Sequence, residues 1–308
     1  MTIIIWAIQI ILTPLASPLC VGVINKIKAR LQNRKGASIF QPYRDLWKLL
    51  HKDEIISRDA SWIFRVAPFI VFSITLAIGA SVPLFTSFLT NTLTGDMLLI
   101  VYALAIGTFF LALGGLDTGS AFGGFGSSRE MTLSALAEGG FIFSLLTVAL
   151  INGTTNIFAI ANADIFLLGQ YLFPILLAFG GFVVVLLAET SRFPYDNPAT
   201  HLELTMIHEA MILEYSGKKL ALMEWAAFNK LFIFLALGVN LFFPIGLAHT
   251  AGVITISTGI IIFMIKIILG ALFIALLESS MAKFRFFRLP DLLLISFILN
   301  AIAIGLIR

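Results

Sequence analysis

The residues best suited to chemistry lie in one stretch, AETSRFPYDNPATHLELTMIHEAMILEYSG, which runs from residue 188 to residue 217. It holds five carboxylates, two histidines, one arginine and two prolines. Carboxylates and histidines exchange protons or bind metals. The HExxH motif of zinc proteases is absent, because Ile212 follows four residues after His208, and His201 lies two helical turns from His208. The sequence therefore favours neither a metal site nor a Ser/His/Asp catalytic set, and proton exchange remains.

Five further ionisable residues lie inside apolar segments: Glu130, Glu138, Lys230, Lys266 and Glu278. A charge at membrane depth is costly, so such residues usually pair with an opposite charge or mark an ion route. Glu130 and Glu138 are eight residues apart, which places them within about 80° on one helix. Lys266 is the obvious cation to oppose Glu138. Two interpretations remain open: static ion pairs that hold helices together, or a proton relay.

The composition predicts a polytopic membrane protein. Apolar residues make up 59% of the 308, only 12% are charged, and the mean hydropathy is +1.01. The net charge of +3 is too small to suggest nucleic acid as a partner. Cys20 is the single cysteine, so neither a disulfide framework nor a thiolate metal cage is expected. The N-terminus lacks the basic flank and cleavage site of a signal peptide, so its apolar run is expected to be retained.

The long apolar runs predict an all-α bundle of about eight transmembrane helices that forms a single integral membrane domain over residues 1–308. A helix needs roughly 20 apolar residues to cross the hydrocarbon core. The predicted spans lie near residues 2–25, 64–89, 97–116, 130–151, 165–188, 225–248, 254–278 and 289–307.

The distribution of cations predicts the orientation. Seventeen of the 20 Lys and Arg residues follow spans one, three, five and seven, and only Arg308 falls on the opposite side. By the positive-inside rule the cation-rich side is cytoplasmic, and both termini face out. The two long loops, residues 26–63 and 189–224, are then both cytoplasmic.

The first long loop contains QPYRDLWKLLH, which predicts a short helix with Pro42 in its first turn. Tyr43, Leu46, Trp47 and Leu50 recur at helical spacing, with basic residues off that face. Such a helix lies in the membrane interface and is attracted to anionic headgroups. It is read either as an interfacial anchor or as the lip of a cavity.

The third loop is rich in glycine, with six between Gly114 and Gly126. It lacks a Walker GK[ST] and no strand precedes it, so it does not match a nucleotide-binding loop. We expect backbone packed tightly between helices, ending in a capping box of Ser127 and Glu130 at the start of span four.

Several of these segments together resemble subunit 1 of respiratory complex I. They are AETSRFPYDNP with the HLEL and EYSG that follow it, RLQNRKG and QPYRDLWKLLHKD in the first long loop, and Ala67-Pro68. The resemblance covers essentially the whole chain. Within that family, LDTGSAFGGFGSSRE and DNPATHLELTMIHEAMILEYSG resemble component C of hydrogenase-4 and the membrane subunit of formate hydrogenlyase.

This resemblance implies a proton-coupling membrane anchor of an energy-converting [NiFe] hydrogenase in the cytoplasmic (inner) membrane of a prokaryote. It implies hydrogenase-like large and small iron–sulfur subunits on the cytoplasmic side and antiporter-like subunits within the membrane. Cofactors are then expected only in those partners, as iron–sulfur clusters and a [NiFe] centre. A quinone pocket is disfavoured, because Ala199 and His201 stand where the complex I pattern has glutamates and the segment between Glu203 and Glu214 is longer.

Two sets of site residues follow from the charges and the resemblance. Glu138, Lys266, Glu130, Glu189, Glu203, Glu214, Lys230 and Glu278 are expected along a proton pathway. A partner interface or quinone-like cavity is expected to use Arg30, Arg34, Gln41, Asp45, Lys48, Asp117, Arg129, Arg192, Asp196, His201 and His208.

Two other functions remain as alternatives. The chain could be the quinone-site subunit of an NADH-quinone oxidoreductase, or an independent secondary ion transporter. Against the transporter, neither broken helices at the midplane nor paired repeats are evident in the sequence. No side chain here can carry electrons, so oxidoreductase activity is expected of a complex rather than of this chain alone.

Overall fold

The structure is a computed structural model that describes residues 2–57, 59–88, 95–162, 169–196, 206–250 and 252–307. Within these ranges the chain forms helices and no β-strand, apart from isolated bridges. Eight of these helices are long and apolar enough to cross a membrane, which confirms the all-α bundle and makes the chain a multi-pass membrane protein. They are α1 (Thr2–Leu31), α3 (Trp62–Ser81), α4 (Met97–Leu116), α5 (Ala121–Asn152), α7 (Leu172–Glu189), α9 (Gly217–Leu241), α10 (Val253–Ser280) and α11 (Leu289–Gly305), and the shorter helices are α2 (Gln41–Leu50), α6 (Ile157–Ile160) and α8 (His208–Ile212).

The helices pack in two connected groups. Helix α5 contacts α4, α7 and α11, while α9 contacts α1 and α3, and α1 also packs against α10. Polar side chains bridge the first group: Asn300 Nδ2 donates to the carbonyl of Gly140 at 3.0 Å, and Ser296 Oγ donates to the carbonyl of Gly181 at 2.7 Å. Lipid tails are as apolar as leucine, so close backbone approach and interhelical hydrogen bonds of this kind hold transmembrane helices together.

Pro18 inside α1 leaves a backbone carbonyl free for a hydrogen bond between α1 and α9. Pro18 has no N–H, so the carbonyl of Pro14 lacks its usual backbone donor within the helix. The indole N–H of Trp225 on α9 donates to that carbonyl at 2.9 Å. In a membrane a backbone carbonyl without a partner is expensive, so this contact fixes α9 beside α1.

The second and sixth spans end earlier than predicted. Helix α3 ends at Ser81 rather than near residue 89, and α9 begins at Gly217 rather than 225 and ends at Leu241. The chain then runs without regular helix through residues 82–88 and 242–250, and these two segments meet at a bridge between Thr86 and Ala248. The residues of these irregular segments are as apolar as those of the helices. Hydropathy therefore does not mark where the two helices end.

The glycine-rich stretch is partly helical, which corrects the predicted start of the fourth span. Helix α5 begins at Ala121, so Ser127 and Glu130 lie inside the helix and form no capping box. Ser127 Oγ instead donates to the carbonyl of Ala112 on α4 at 2.9 Å. The predicted start was wrong because glycine is a poor helix former, and here tertiary packing overrides that preference.

Close packing of backbone in this hairpin is confirmed. A Cβ atom added to Gly123 would lie 2.1 Å from the carbonyl oxygen of Gly115, a distance that no side chain tolerates. Gly119, between the two helices, has φ +64°, a left-handed conformation that glycine adopts without strain. Glycine therefore lets α4 and α5 meet closely at the turn.

The predicted helix in the first long loop is present as α2. Leu46 is buried and Tyr43 and Leu50 are half-buried, as one apolar face requires, and α2 packs against α1 and α9. Trp47 does not share that face: it is 68% exposed.

Candidate functional site

A cavity of about 300 Å³ opens among α1, α3, α4, α9 and the segment that follows α7. Its walls on α3, α4 and α9 are mostly apolar, whereas the side formed by α5, α8 and the end of α7 is charged. The lining includes six carboxylates and three basic or imidazole groups: Asp45, Glu130, Glu189, Asp196, Glu209, Glu224, Arg192, Lys230 and His208. The cavity lies towards the ends of α1, α4 and α7 that the sequence predicts to be cytoplasmic.

Two charged residues of the cavity lining, Glu189 and Lys230, form a buried ion pair. Lys230 Nζ lies 2.7 Å from Glu189 Oε2, and the two side chains are 16% and 6% exposed. Ser134 Oγ donates to the other carboxylate oxygen at 3.2 Å, and Lys230 also donates to Thr108 Oγ1 at 3.4 Å. A buried pair is tolerated when further hydrogen bonds reach its members, and here both carboxylate oxygens have a donor and the ammonium has a second acceptor.

Helix α5 carries a polar stripe beside this pair. Glu130, Ser134 and Glu138 recur every four residues, so they lie along one side of the helix. Glu130 is 5% exposed and lines the cavity. Glu138 is half-buried and lines a second, far smaller cavity together with Ser134 and Glu189. The predicted route residues of α5 and Glu189 are thus brought together, with Ser134 between them.

Lys266 is not the cation that opposes Glu138. Its ammonium donates to the carbonyls of Val239 (3.3 Å) and Phe243 (2.7 Å) and to Asn240 Oδ1 (3.1 Å), and no ion pair of the described residues joins it to Glu138. These oxygens lie at the end of α9, where helix carbonyls lack internal partners and the helix dipole favours a cation. Lys266 therefore caps α9, and the cation beside the acidic stripe is Lys230.

Glu278, predicted on the proton pathway, lies outside the cavity lining. It is 4% exposed, accepts from Arg192 Nη1 at 3.1 Å and also pairs with Lys28 near the end of α1. Arg192 is itself a cavity residue. Glu278 thus joins α1, α10 and the segment after α7 and holds one cavity wall in place.

Asp196 organises the other part of that segment. Its carboxylate lies 2.6 Å from Lys283 Nζ and accepts from the backbone N–H groups of Ile207 (3.2 Å) and His208 (3.1 Å). These bonds bring α8 back over the cavity. The predicted site residues His201 and Glu203 lie outside the described residues.

Two side chains of α8 have pKa values moved by their surroundings. Burial lowers the pKa of His208 to about 4, with Asp196 opposing and Lys230 reinforcing the change. The imidazole is therefore neutral at pH 7. Burial, with the negative charge of Asp196 as a smaller second cause, raises the pKa of Glu209 to about 7. Glu209 thus exchanges its proton near neutral pH.

Asp117, predicted at a partner interface, caps a helix. Its carboxylate accepts from the N–H of Ser61 (2.8 Å), the hydroxyl of Ser61 (2.6 Å) and the N–H of Phe64 (3.1 Å). Burial alone would raise the pKa of Asp117, but these hydrogen bonds outweigh it and lower the pKa. They satisfy N–H groups that the start of α3 leaves free.

The remaining predicted residues are spread over the surface. Arg129 Nη1 donates to the carbonyl of Met206 at 3.2 Å, and its guanidinium lies over the ring of Phe286. Gln41 Nε2 donates to Asp45 Oδ1 at 2.8 Å, at the edge of the cavity. Three cations and one carboxylate are exposed outside the cavity lining: Arg30, Arg34, Lys48 and Glu214.

Sequence reasoning missed Glu209 and Glu224 as cavity residues. Neither residue belongs to the two sets of site residues that the sequence predicts. Their spacing from the segment's other acids gave no signal, because the cavity forms only when α8 packs against α4 and α5. Among the residues that the structure describes, no group of three His, Cys, Asp or Glu side chains could hold a metal ion.

Comparisons with known proteins agree in placing this chain beside membrane subunits of respiratory complexes. The family model described as NADH dehydrogenase matches residues 3–307. Hydrogenase-4 component C of Escherichia coli (strain K12) is 33% identical over 96% of this chain and 92% of its own length. Formate hydrogenlyase subunit 4 of the same strain is 32% identical over 90% of each chain.

A more distant relative and a solved structure extend the comparison. NADH-quinone oxidoreductase subunit 8 of Rhodothermus marinus is 30% identical over 71% of this chain and 66% of its own length. The fold is similar to a chain in the structure of the membrane-bound sulfane sulfur reductase, an archaeal respiratory membrane complex. That match has a TM-score of 0.84 at 18% identity and covers 100% of this chain and 99% of that one.

Proposed function

Because this chain belongs to the NADH dehydrogenase family of complex I subunit 1, we propose that it is the membrane-anchoring, proton-coupling subunit of a hydrogenase-4 or formate hydrogenlyase type complex. It docks a soluble redox arm on its cytoplasmic face and links electron transfer there to proton movement. The names of two relatives that match nearly its full length support this choice over other branches of the family.

The observation that carries the proposal is the continuity of acidic groups from the cavity to Glu138. Glu209, Glu130 and Glu189 all line the cavity. Ser134 donates to Glu189, and both line the small second cavity together with Glu138. A chain of carboxylates and a hydroxyl, set around one ammonium, can pass protons without leaving a charge exposed to lipid.

The coupling step is electrostatic. A unit charge that appears about 10 Å from a carboxylate changes its energy by about 1.7 kcal/mol at an effective dielectric constant near 20, which moves its pKa by about one unit. Glu209, whose pKa is about 7, responds strongly to such a change near neutral pH. Reduction of a centre in a docked partner thereby loads a proton at Glu209, and oxidation releases it. The redox centres, iron–sulfur clusters and a [NiFe] site, are assigned to the partners.

Purification of the affinity-tagged chain from its native membrane tests the assignment. The expected result is a complex that contains iron–sulfur subunits, a nickel-bearing large subunit and further membrane subunits. Metal analysis and mass spectrometry of the subunits provide the measurement. A chain that purifies alone, or with a flavin-containing NADH module, contradicts the proposal.

A second function, the quinone-site subunit of an NADH-quinone oxidoreductase, is favoured by the cavity itself. Its volume of about 300 Å³ lies at the lower end of the range for small-molecule pockets, and apolar residues of α3, α4 and α9 line one side. The subunit 8 relative from Rhodothermus marinus agrees with this reading. Chromatography of the lipids extracted from the purified complex distinguishes the two functions. A stoichiometric amount of quinone favours the second.

A further inference from the structure

Helix α2 lies at the depth of the membrane boundary and not above it. The carbonyl of Ile39, just before α2, is so close to α1 that a Cβ on Gly22 would lie 1.9 Å from it. Gly22 is nine residues before the end of α1, which is about 14 Å at 1.5 Å per residue. The hydroxyl of Tyr43 on α2 donates to the carbonyl of Leu15, deeper still along α1. The start of α2 therefore lies beside the apolar part of α1.

The two sides of α2 have opposite surroundings. Pro42 and Leu46 are buried, and α2 packs against α1 and α9. The outer side is exposed, and it carries two large aromatic rings, Phe40 at 61% and Trp47 at 68% exposure. Aromatic rings that are left open at this depth contact the headgroup region of a bilayer, where tryptophan is enriched.

Two cations flank the tryptophan. Arg44, Trp47 and Lys48 are spaced three and four residues apart, so they share the exposed face. No ion pair formed by the described residues includes Arg44 or Lys48. Long basic side chains at this level extend towards phosphate groups while their stems remain against apolar surface.

We propose that the face of α2 formed by Arg44, Trp47 and Lys48 binds the headgroup of an anionic phospholipid. The charges are complementary, and the depth of α2 makes lipid its neighbour, because a water-soluble partner does not reach beside the apolar part of α1. The phosphate pairs with the two cations and the indole packs among the upper acyl carbons.

This contact has a consequence for the cavity, because α2 forms part of the cavity wall. Pro42 and Asp45 of the same helix line the cavity. A headgroup held on the outer face therefore fixes the position of the cavity's rim. The inference does not depend on the proposed function, since it requires only the helix, its depth and its charges.

The test compares lipid binding by the full chain in nanodiscs made from mixed phosphatidylglycerol and phosphatidylcholine. Lipids that remain bound after transfer to detergent are counted by native mass spectrometry. The test variant is Arg44→Gln/Lys48→Gln, and the matched control is Arg34→Gln/Lys35→Gln, which removes two exposed cations beyond the end of α1. A basic residue near an anionic surface contributes about a fivefold preference, so losing two lowers the phosphatidylglycerol preference about 30-fold.

Three results would overturn the inference. The test variant could retain phosphatidylglycerol as the unaltered chain does. The control could lose as much of the preference as the test variant, which would indicate general surface charge. A photo-cross-linking residue at Trp47 could attach in native membranes to a protein rather than to phospholipid, which would identify the face as a protein interface.

Discussion

The effects of replacing Glu189 and Lys230 on the stability of the chain are expected to be strongly coupled, because the two side chains form one buried ion pair. Glu189→Gln leaves an ammonium that is 16% exposed, and Lys230→Met leaves a carboxylate that is 6% exposed. At 2.7 Å the attraction is about 6 kcal/mol for an effective dielectric constant near 20, and breaking such a buried pair typically costs about 3–5 kcal/mol. The double variant, in which neither charge remains, should cost several kcal/mol less than the sum of the single changes.

The single cysteine provides the assay. Cys20 is buried, so a thiol reagent labels it only when the chain opens. Titration of the purified chain with SDS in mixed micelles, followed by labelling of Cys20, gives the free energy of unfolding for the four proteins of the cycle. The expected interaction energy is about 2–4 kcal/mol. An interaction energy below about 0.5 kcal/mol would refute the reasoning, because the two charges would then not depend on each other.

Further predictions concern single positions. Lys266→Met should lower the free energy of unfolding by about 2–3 kcal/mol through the uncapped end of α9, and Lys266→Arg by less, in the same SDS titration. Gly181→Ala should lower it by about 1–3 kcal/mol, because the added Cβ would lie 2.5 Å from Asn300 Nδ2. The stability contributed by protonated Glu209 is complete below its unfolded pKa and is lost as pH rises through its folded pKa of about 7. Glu209→Gln should therefore reduce the dependence of the free energy of unfolding on pH between about pH 4.5 and 7. Cysteines placed at Lys35 and Lys218 in a Cys20→Ser background should be protected from an impermeant thiol reagent outside the cell. Ready labelling at either position would contradict the predicted orientation.

Hydropathy was sufficient for the number of spans but not for their ends. The apolar runs predicted eight helices, and eight are present among the described residues. The start of α9 at Gly217 was missed because its first turns include Lys218, Lys219 and Glu224, and a polar extension of a helix beyond the membrane has no apolar signal. The start of α5 was missed because the low helix propensity of its glycines predicted a loop. The packing that makes this segment helical cannot be read from the sequence.

The site was predicted in its residue types more than in its pairings. Glu130, Glu138 and Glu189 were selected as charges at or near membrane depth, and the structure brings them together. The cation was mispaired because position along a helix gives depth but not the direction that a side chain faces. Lys266 lies near the middle of α10, yet its ammonium donates to the carbonyls of Val239 and Phe243 at the end of α9. The position where α9 ends is a tertiary feature that the sequence does not show.

The central claim is that protons pass through the carboxylates around Lys230, and the ratio of protons moved per electron tests it most directly. Membrane vesicles with the assembled complex are driven by the partner's own electron donor, and proton movement and electron transfer are recorded together. Lys230→Met is compared with Lys218→Met, which removes an exposed cation from the same helix. The account predicts that Lys218→Met keeps the ratio of the unaltered complex, whereas Lys230→Met lowers it at least tenfold while electron transfer continues. An unchanged ratio in an assembled, electron-transferring Lys230→Met complex would contradict it.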